Sequence, residues 1–310
     1  MQAARIRLGT RGSPLALAQS HEVRVRLQKA HGLSDDAVTI TVIKTTGDQV
    51  LDRPLSDIGG KGLFTKEIEE ALLGNEIDVA VHSMKDMQTA LPDGLTVGAM
   101  LPREDPRDAF ISLRHAGIGA LPRGAVVGTS SLRRKAQLLS IRPDLRVIEF
   151  RGNVQTRLRK LQDGVAEATF LAVAGLKRLG LQNQITAPIP IEEMLPAVAQ
   201  GAIGLEIRVD DATTAALVAP LNDAATALAV SAERAFLARL EGSCRTPIAG
   251  HAMLDGERLS FRGQVLSPDG MKSYVVSRTG SPQSATEIGL AAADEILSKA
   301  DVAALTRSSA

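Results

Sequence analysis

The sequence predicts two α/β domains of largely parallel sheet followed by a small α+β domain. Three observations carry that expectation. Through roughly the first 200 residues, short β-rich runs alternate with helical patterns, the signature of βαβ units. The alternation breaks once, at Leu101-Pro-Arg-Glu-Asp-Pro-Arg107, where two prolines and a run of charges suit a crossing between domains. Beyond residue 240 the spacing changes to successive strands closed by one helix. A length of 310 residues accommodates this, at roughly 100 to 200 residues per domain.

Taken in order, residues 6–10 read as a strand, and Ser13-Pro14 then opens a helix, with Ser as N-cap and Pro at the first helical position. A second strand fits 38–44, a helix 63–73 and a third strand 78–82. The pattern restarts with a strand at 126–128 and a helix from Ser131, a strand at 146–150 and a helix from Asn153, and a strand at 169–173. The apolar, glycine-bearing run 195–207 reads as a return crossing. A helix over 224–240 leads into strands near 248–254, 259–266 and 273–278, then a helix over 285–299.

Composition excludes several function classes. Only 2% of residues are aromatic, so the cores are expected to be aliphatic, and the single cysteine forbids an internal disulfide framework or a structural zinc site of cysteine type. The five histidines, His21, His31, His82, His115 and His251, show no metal-ligand spacing. The N-terminal residues lack the apolar run of a secretory signal, and no stretch of ~18 apolar residues could span a bilayer. A cytoplasmic location is the resulting expectation.

The net charge of +1 hides an asymmetry. Between Arg133 and Lys160 nine basic residues face two acidic ones, a surplus of seven, so the remainder of the chain carries −6. Arg outnumbers Lys 26 to 10, and the guanidinium fork suits bidentate capture of carboxylate or phosphate. Three loops share one construction, in which a strand ends in a Gly, Ser or Thr-bearing turn with an Arg beside a helix N-terminus: Thr10-Arg-Gly-Ser-Pro14, Gly128-Thr-Ser-Ser-Leu-Arg-Arg134 and Arg151-Gly-Asn-Val-Gln-Thr-Arg157. Each could be no more than a capped helix with solvated arginines. Three at the carboxyl ends of strands, where open α/β sheets bind ligands, point to a polyanion.

Three further stretches carry chemistry. Ile58-Gly-Gly-Lys-Gly-Leu-Phe64 lacks the spacing of a phosphate loop and suits a lid. His82-Ser-Met-Lys-Asp86 puts Lys85 and Asp86 at a strand's carboxyl end, where Asp86 is either a turn former or a carboxylate that stabilises a developing cation. Cys244 sits between Gly242-Ser243 and Arg245, a poor place to bury a thiol and a good one to hold a thiolate.

Together the motifs closely resemble the hydroxymethylbilane synthase family, also called porphobilinogen deaminases. The resemblance runs through Thr10–Gln19, Gly59–Phe64, Ala80–Asp86, Arg103–Phe110, Gly128–Arg134, Arg151-Gly-Asn-Val, Leu171–Gly180, Leu195–Gly204 and Leu240–Cys244. It implies two domains like the type II periplasmic binding proteins, at 1–101 plus 202–219 and at 107–195, and an α+β domain at 223–310. It implies an enzyme that joins porphobilinogen units into a linear tetrapyrrole with release of ammonia. That chain is primed on a dipyrromethane cofactor held as a thioether by Cys244. Asp86 matches the family's catalytic carboxylate. Asp48, Ser83, Lys85, Thr129, Ser131, Arg133 and Arg134 match its cofactor-binding positions, and Arg11, Ser13, Arg151, Arg157 and Arg178 its substrate-binding ones. A monomer that takes no metal, nucleic acid or membrane is expected. The chain departs from the family at Met87-Gln88, after the catalytic turn, and at Asp57.

Two other classes compete. A non-enzymatic two-domain receptor for a small anion would have the same fold, but leaves the loop cysteine unexplained. Nucleic-acid binding through 133–160 would require steep salt dependence, and scarce aromatics remove the base-stacking platform.

Overall fold

A computed structural model of the protein describes residues 6–49, 62–241 and 247–302, with Asp48 and Gln49 described in backbone only. The chain runs β1 (Ile6–Thr10), α1 (Pro14–His31), β2 (Val38–Val42), α2 (Thr46–Gln49), α3 (Lys66–Leu73), β3 (Val79–Ser83), β4 (Leu95–Met100) and β5 (Asp108–Ile111). It continues through β6 (Val126–Gly128), α4 (Leu132–Ile141), β7 (Arg146–Ile148), α5 (Val154–Gln162), β8 (Ala168–Ala172), α6 (Val173–Arg178) and β9 (Ala187–Pro188). The last part comprises β10 (Ile203–Arg208), α7 (Ala212–Val218), α8 (Ala224–Arg239), β11 (Ile248–Asp255), β12 (Arg258–Leu266), β13 (Ser273–Gly280) and α9 (Ala285–Lys299).

The chain forms two compact units, one of residues 1–104 and 202–227, the other of 105–201 and 228–310. The first holds a five-stranded sheet in the order β2-β1-β3-β10-β4, with β1, β2 and β3 parallel and β10 antiparallel to both its neighbours. Its core is wholly aliphatic, with Leu8, Val23, Leu27, Val79, Leu205 and Ile207 at 2% exposure or less. Helix α1 begins as expected: Ser13 Oγ accepts the Ala16 N–H, Pro14 takes the first turn, and Gly32 at φ 62° ends it.

The second unit repeats the plan as β7-β6-β8-β5-β9, with β6 parallel to β7 and β8, and β5 antiparallel to β8 and β9. It also contains the antiparallel β11-β12-β13 sheet, whose core includes residues from α8 and α9. The fold is therefore two mixed α/β sheets plus a small α+β part. Phe236 and Phe261 meet there at 5.0 Å between ring centres, and Gly263 leaves the room that Phe236 fills. Five of the six phenylalanines, Phe110, Phe150, Phe170, Phe236 and Phe261, are fully buried in this unit. The aliphatic-core expectation thus fails here: scarcity placed the few rings inside, where each removes the most apolar area from water.

The run 195–207 is only partly a crossing. Its second half is β10, inserted between β3 and β4. Glycine masked the strand pattern, and Gly204 is needed because a Cβ there would strike the Met84 sulfur. In the second unit, Ala199 adopts φ 59° and donates its N–H to Glu233, a fully buried carboxylate of α8 that also accepts from Ala252 N at 2.7 Å. Among the described residues no single helix is long and apolar enough to cross a membrane.

Candidate functional site

In the first unit, β1 and β3 lie side by side and parallel, so the turns after them share one sheet edge. After β1, the Arg11 guanidinium stacks 4.0 Å above the Phe64 ring, and the half-buried Ser13 caps α1. After β3, the Ser83 hydroxyl lies 2.8 Å from Nε2 of Gln19. The chain then makes a single 3-10 turn over Met84–Asp86. Met84 is buried, its N–H bonded to Ala202 O, and the Met87 N–H closes the turn on Met84 O. These anchors leave Lys85 half-buried and Asp86 exposed, with no hydrogen bond or ion pair to the Asp86 carboxylate among the described residues. Met87 is itself buried and helps seat the turn.

Below this turn lies a buried polar cluster that sequence reading missed. His82 Nε2 is 2.9 Å from Glu206 Oε2, at 5% and 0% exposure, while Oε1 of Glu206 and Oε1 of Glu69 are buried without hydrogen-bond partners among the described residues. Burial pushes the Glu69 carboxyl above its ordinary value; Glu206 adds to the shift, and the Thr65 hydroxyl and His82 oppose it. A raised folded value means that stability present below about 4.5 is lost as pH rises through the folded value, when a charge must be held in the interior. Glu69→Gln is therefore expected to raise the melting temperature at pH 7 to 8, with the gain vanishing below about pH 4. Thermal melts across pH check this, and a pH-independent difference would refute it.

In the second unit, β7, β6 and β8 are adjacent and parallel. Their carboxyl edge gathers Thr129 and Ser131 after β6, Arg151 and Arg157 after β7, and Arg178 at the end of α6 after β8. Thr129 is buried, its Oγ1 accepting from Ser131 N, and Ser131 caps α4 by accepting from Arg134 N. Asn153 caps α5 in the same way. Arg157 Nε donates to Gly152 O at 2.8 Å, and Arg178 Nη2 to Gly201 O at 3.0 Å. Arg151 is half-buried, and its Nη1 is buried with no hydrogen-bond partner among the described residues.

Arg133 and Arg134 behave differently from solvated arginines. Both are buried, at 6% and 5% exposure, and both point to Asp108, which is fully buried. Burial alone would raise the Asp108 carboxyl, but the two guanidinium charges and their hydrogen bonds outweigh it and hold it well below the usual carboxylate range. The cationic surplus of 133–160 is thus partly compensated inside the fold. Arg142 is likewise spent on Asp144, at 2.8 Å, and on the Ile118 and Leu121 carbonyls. Asp108 and Glu206 escaped the sequence reading because their partners lie 25 and 124 residues away.

Of the expected site residues, Cys244 lies outside the described residues, as do Asp57 and most of the glycine lid, and Asp48 falls in α2 with its side chain undescribed. Among the described residues no cluster of His, Cys, Asp and Glu could hold a metal ion.

Comparison with known proteins identifies the family. Residues 6–216 match the family model described as porphobilinogen deaminase, dipyromethane cofactor binding domain, and residues 227–298 match that of the porphobilinogen deaminase C-terminal domain. The chain is 62% identical over 295 residues to the porphobilinogen deaminase of Paracoccus denitrificans, covering 95% of this chain and 94% of that one. It is 56% identical over 303 residues to the chloroplastic porphobilinogen deaminase of Pisum sativum, covering 96% and 82%. A solved periplasmic substrate-binding protein of an ABC transporter from Coxiella burnetii aligns over 70% of this chain and 91% of its own, at 15% identity and a TM-score of 0.42.

Proposed function

This chain belongs to the porphobilinogen deaminase family, and from that premise we propose that it joins four porphobilinogen molecules head to tail into the linear tetrapyrrole hydroxymethylbilane. Four ammonia molecules leave and one water supplies the product's hydroxyl. The observation that supports this reading is Nη1 of Arg151, in the loop after β7, which is buried with no hydrogen-bond partner among the described residues. A buried guanidinium nitrogen without an acceptor is costly, and a ligand carboxylate removes the cost. Porphobilinogen brings an acetate and a propionate with each unit.

The same test favours the family's dipyrromethane cofactor, itself a carriage of carboxylates, against two buried arginines that share one carboxylate. Bound dipyrromethane supplies the pyrrole end from which the product grows. We assign its thioether to Cys244 and its polar contacts to Asp48, Ser83, Lys85, Thr129, Ser131, Arg133 and Arg134. Arg11, Ser13, Arg151, Arg157 and Arg178 receive substrate carboxylates. We assign to the Asp86 carboxylate, exposed on a turn with a buried anchor, the stabilisation of a cationic pyrrole and the uptake of its proton. Covalent retention makes each condensation effectively intramolecular.

Three domains with the boundaries expected above, a monomeric state and a cytoplasmic location complete the proposal. A reactive lone thiol is best preserved in a reducing compartment.

Incubation of the purified protein with porphobilinogen tests the reading: ammonia and hydroxymethylbilane are expected, and their absence from protein carrying the cofactor would overturn it. Arg151→Ala is expected to raise KM for porphobilinogen roughly 10- to 100-fold, the effect of losing a charged hydrogen bond of ~1.5 to 3 kcal/mol. An unchanged KM would remove Arg151 from the substrate site.

A further inference from the structure

Asp108 opens β5 at 0% exposure and accepts four hydrogen bonds. Its Oδ2 takes Nη1 of Arg133 at 2.8 Å; its Oδ1 takes Nε and Nη2 of Arg134 at 3.1 and 2.7 Å and Nε2 of Gln200 at 2.9 Å. The surrounding backbone fixes the same groups. Arg133 Nη1 also donates to Leu195 O at 2.8 Å, Arg134 Nη1 to Phe170 O at 2.9 Å, and Gln200 Nε2 to Pro106 O at 2.7 Å. Gln137 clamps Leu195 from both sides, donating to its carbonyl at 2.9 Å and accepting from its N–H at 2.7 Å. One carboxylate therefore ties α4 and β5 to the segment that leads to β10.

The charges in this knot do not balance. Two buried guanidiniums face one buried carboxylate, which leaves one positive charge in the interior. The hydrogen bonds are uneven as well. All three guanidinium nitrogens of Arg134 are engaged, whereas among the described residues Arg133 is engaged only through Nη1. Neither Nε nor Nη2 of Arg133 is among the buried atoms left without a partner, so these donors stay accessible to an incoming anion.

We propose that Asp108 is a positioning residue for the cofactor site: it presets Arg133 and Arg134 in one geometry and leaves the pair one negative charge short, so that it captures a single dipyrromethane carboxylate, chiefly through Arg133. The proposal rests on the reading that this arginine pair grips the cofactor. Asp108 itself does not touch the cofactor. Its effect passes through the guanidiniums, which would otherwise repel each other and adopt other rotamers.

The test is intact mass and steady-state kinetics of Asp108→Asn, Asp108→Glu and Arg133→Gln. Asp108→Asn keeps the side-chain shape and removes the charge. It is expected to melt cooperatively, to carry the cofactor mass in a minority of molecules, and to lose roughly 10- to 100-fold in kcat per loaded molecule. KM for porphobilinogen should stay within about threefold, because the substrate arginines are elsewhere. Asp108→Glu restores the charge one methylene out of place and should recover loading while kcat remains low. Full loading and unchanged kcat in Asp108→Asn would overturn the proposal. Should Asp108→Asn fail to fold, Asp108→Glu decides, and normal kcat per loaded molecule there would overturn it. Arg133→Gln separates the two layers: normal loading in that variant defeats the assignment of the pair to the cofactor. Lost loading there, with normal loading and kcat in both Asp108 variants, defeats only the role of Asp108.

Discussion

Asp86→Asn is expected to yield a folded protein that still carries its cofactor mass yet turns over roughly 100- to 10,000-fold more slowly, the range associated with losing a positioned acid-base group. The turn that presents residue 86 is set by backbone and by buried Met84 and Met87, not by the carboxylate. Asn therefore preserves the geometry while removing the negative charge. A neutral amide cannot stabilise a cationic pyrrole, nor accept its proton, so the loss should fall on kcat with KM little changed. Product formation measured on protein of verified mass checks this. Normal turnover would refute the role of Asp86.

Cys244→Ser is expected to have the larger effect still. The purified variant should show the bare polypeptide mass, where the unchanged protein shows the added mass of two linked pyrroles, and its turnover should fall to background. A hydroxyl is a far weaker nucleophile than a thiolate, and no second cysteine exists to substitute. Without the tether, every condensation becomes bimolecular, and the advantage of an intramolecular reaction, ~7 to 11 kcal/mol at its fullest, is lost. Added pyrrole mass retained on Cys244→Ser would remove this residue as the anchor.

Both positions lie in short contiguous motifs, and their proposed roles come from the family resemblance those motifs carry. The helix caps Ser13, Ser131 and Asn153 are legible in the sequence, since a cap is a local contract between neighbours three residues apart. The helix over Ala285–Lys299 and the three strands before it follow equally from local pattern. The sequence pattern does not display β4 and β5, and it presents β10 as part of a crossing. Gly98 and Gly204 interrupt β4 and β10, and each makes room for a side chain from a neighbouring element: Ile207 against Gly98, Met84 against Gly204. Period alone does not display such complementarity.

What the sequence by itself determined is the family, the α/β class, the single cysteine, and the excess of positive charge between Arg133 and Lys160. Only the tertiary structure decided how that positive charge is spent. Arg142 is consumed by Asp144 and two carbonyls, and all three nitrogens of Arg134 are engaged by Asp108 and Phe170, while among the described residues Arg133 is engaged only through Nη1 and Arg151 Nη1 meets no acceptor. The reason is physical: residue type sets the sign of a charge. Whether that charge is available depends on which acceptors long-range packing brings within 3 Å of it in an interior that water cannot reach.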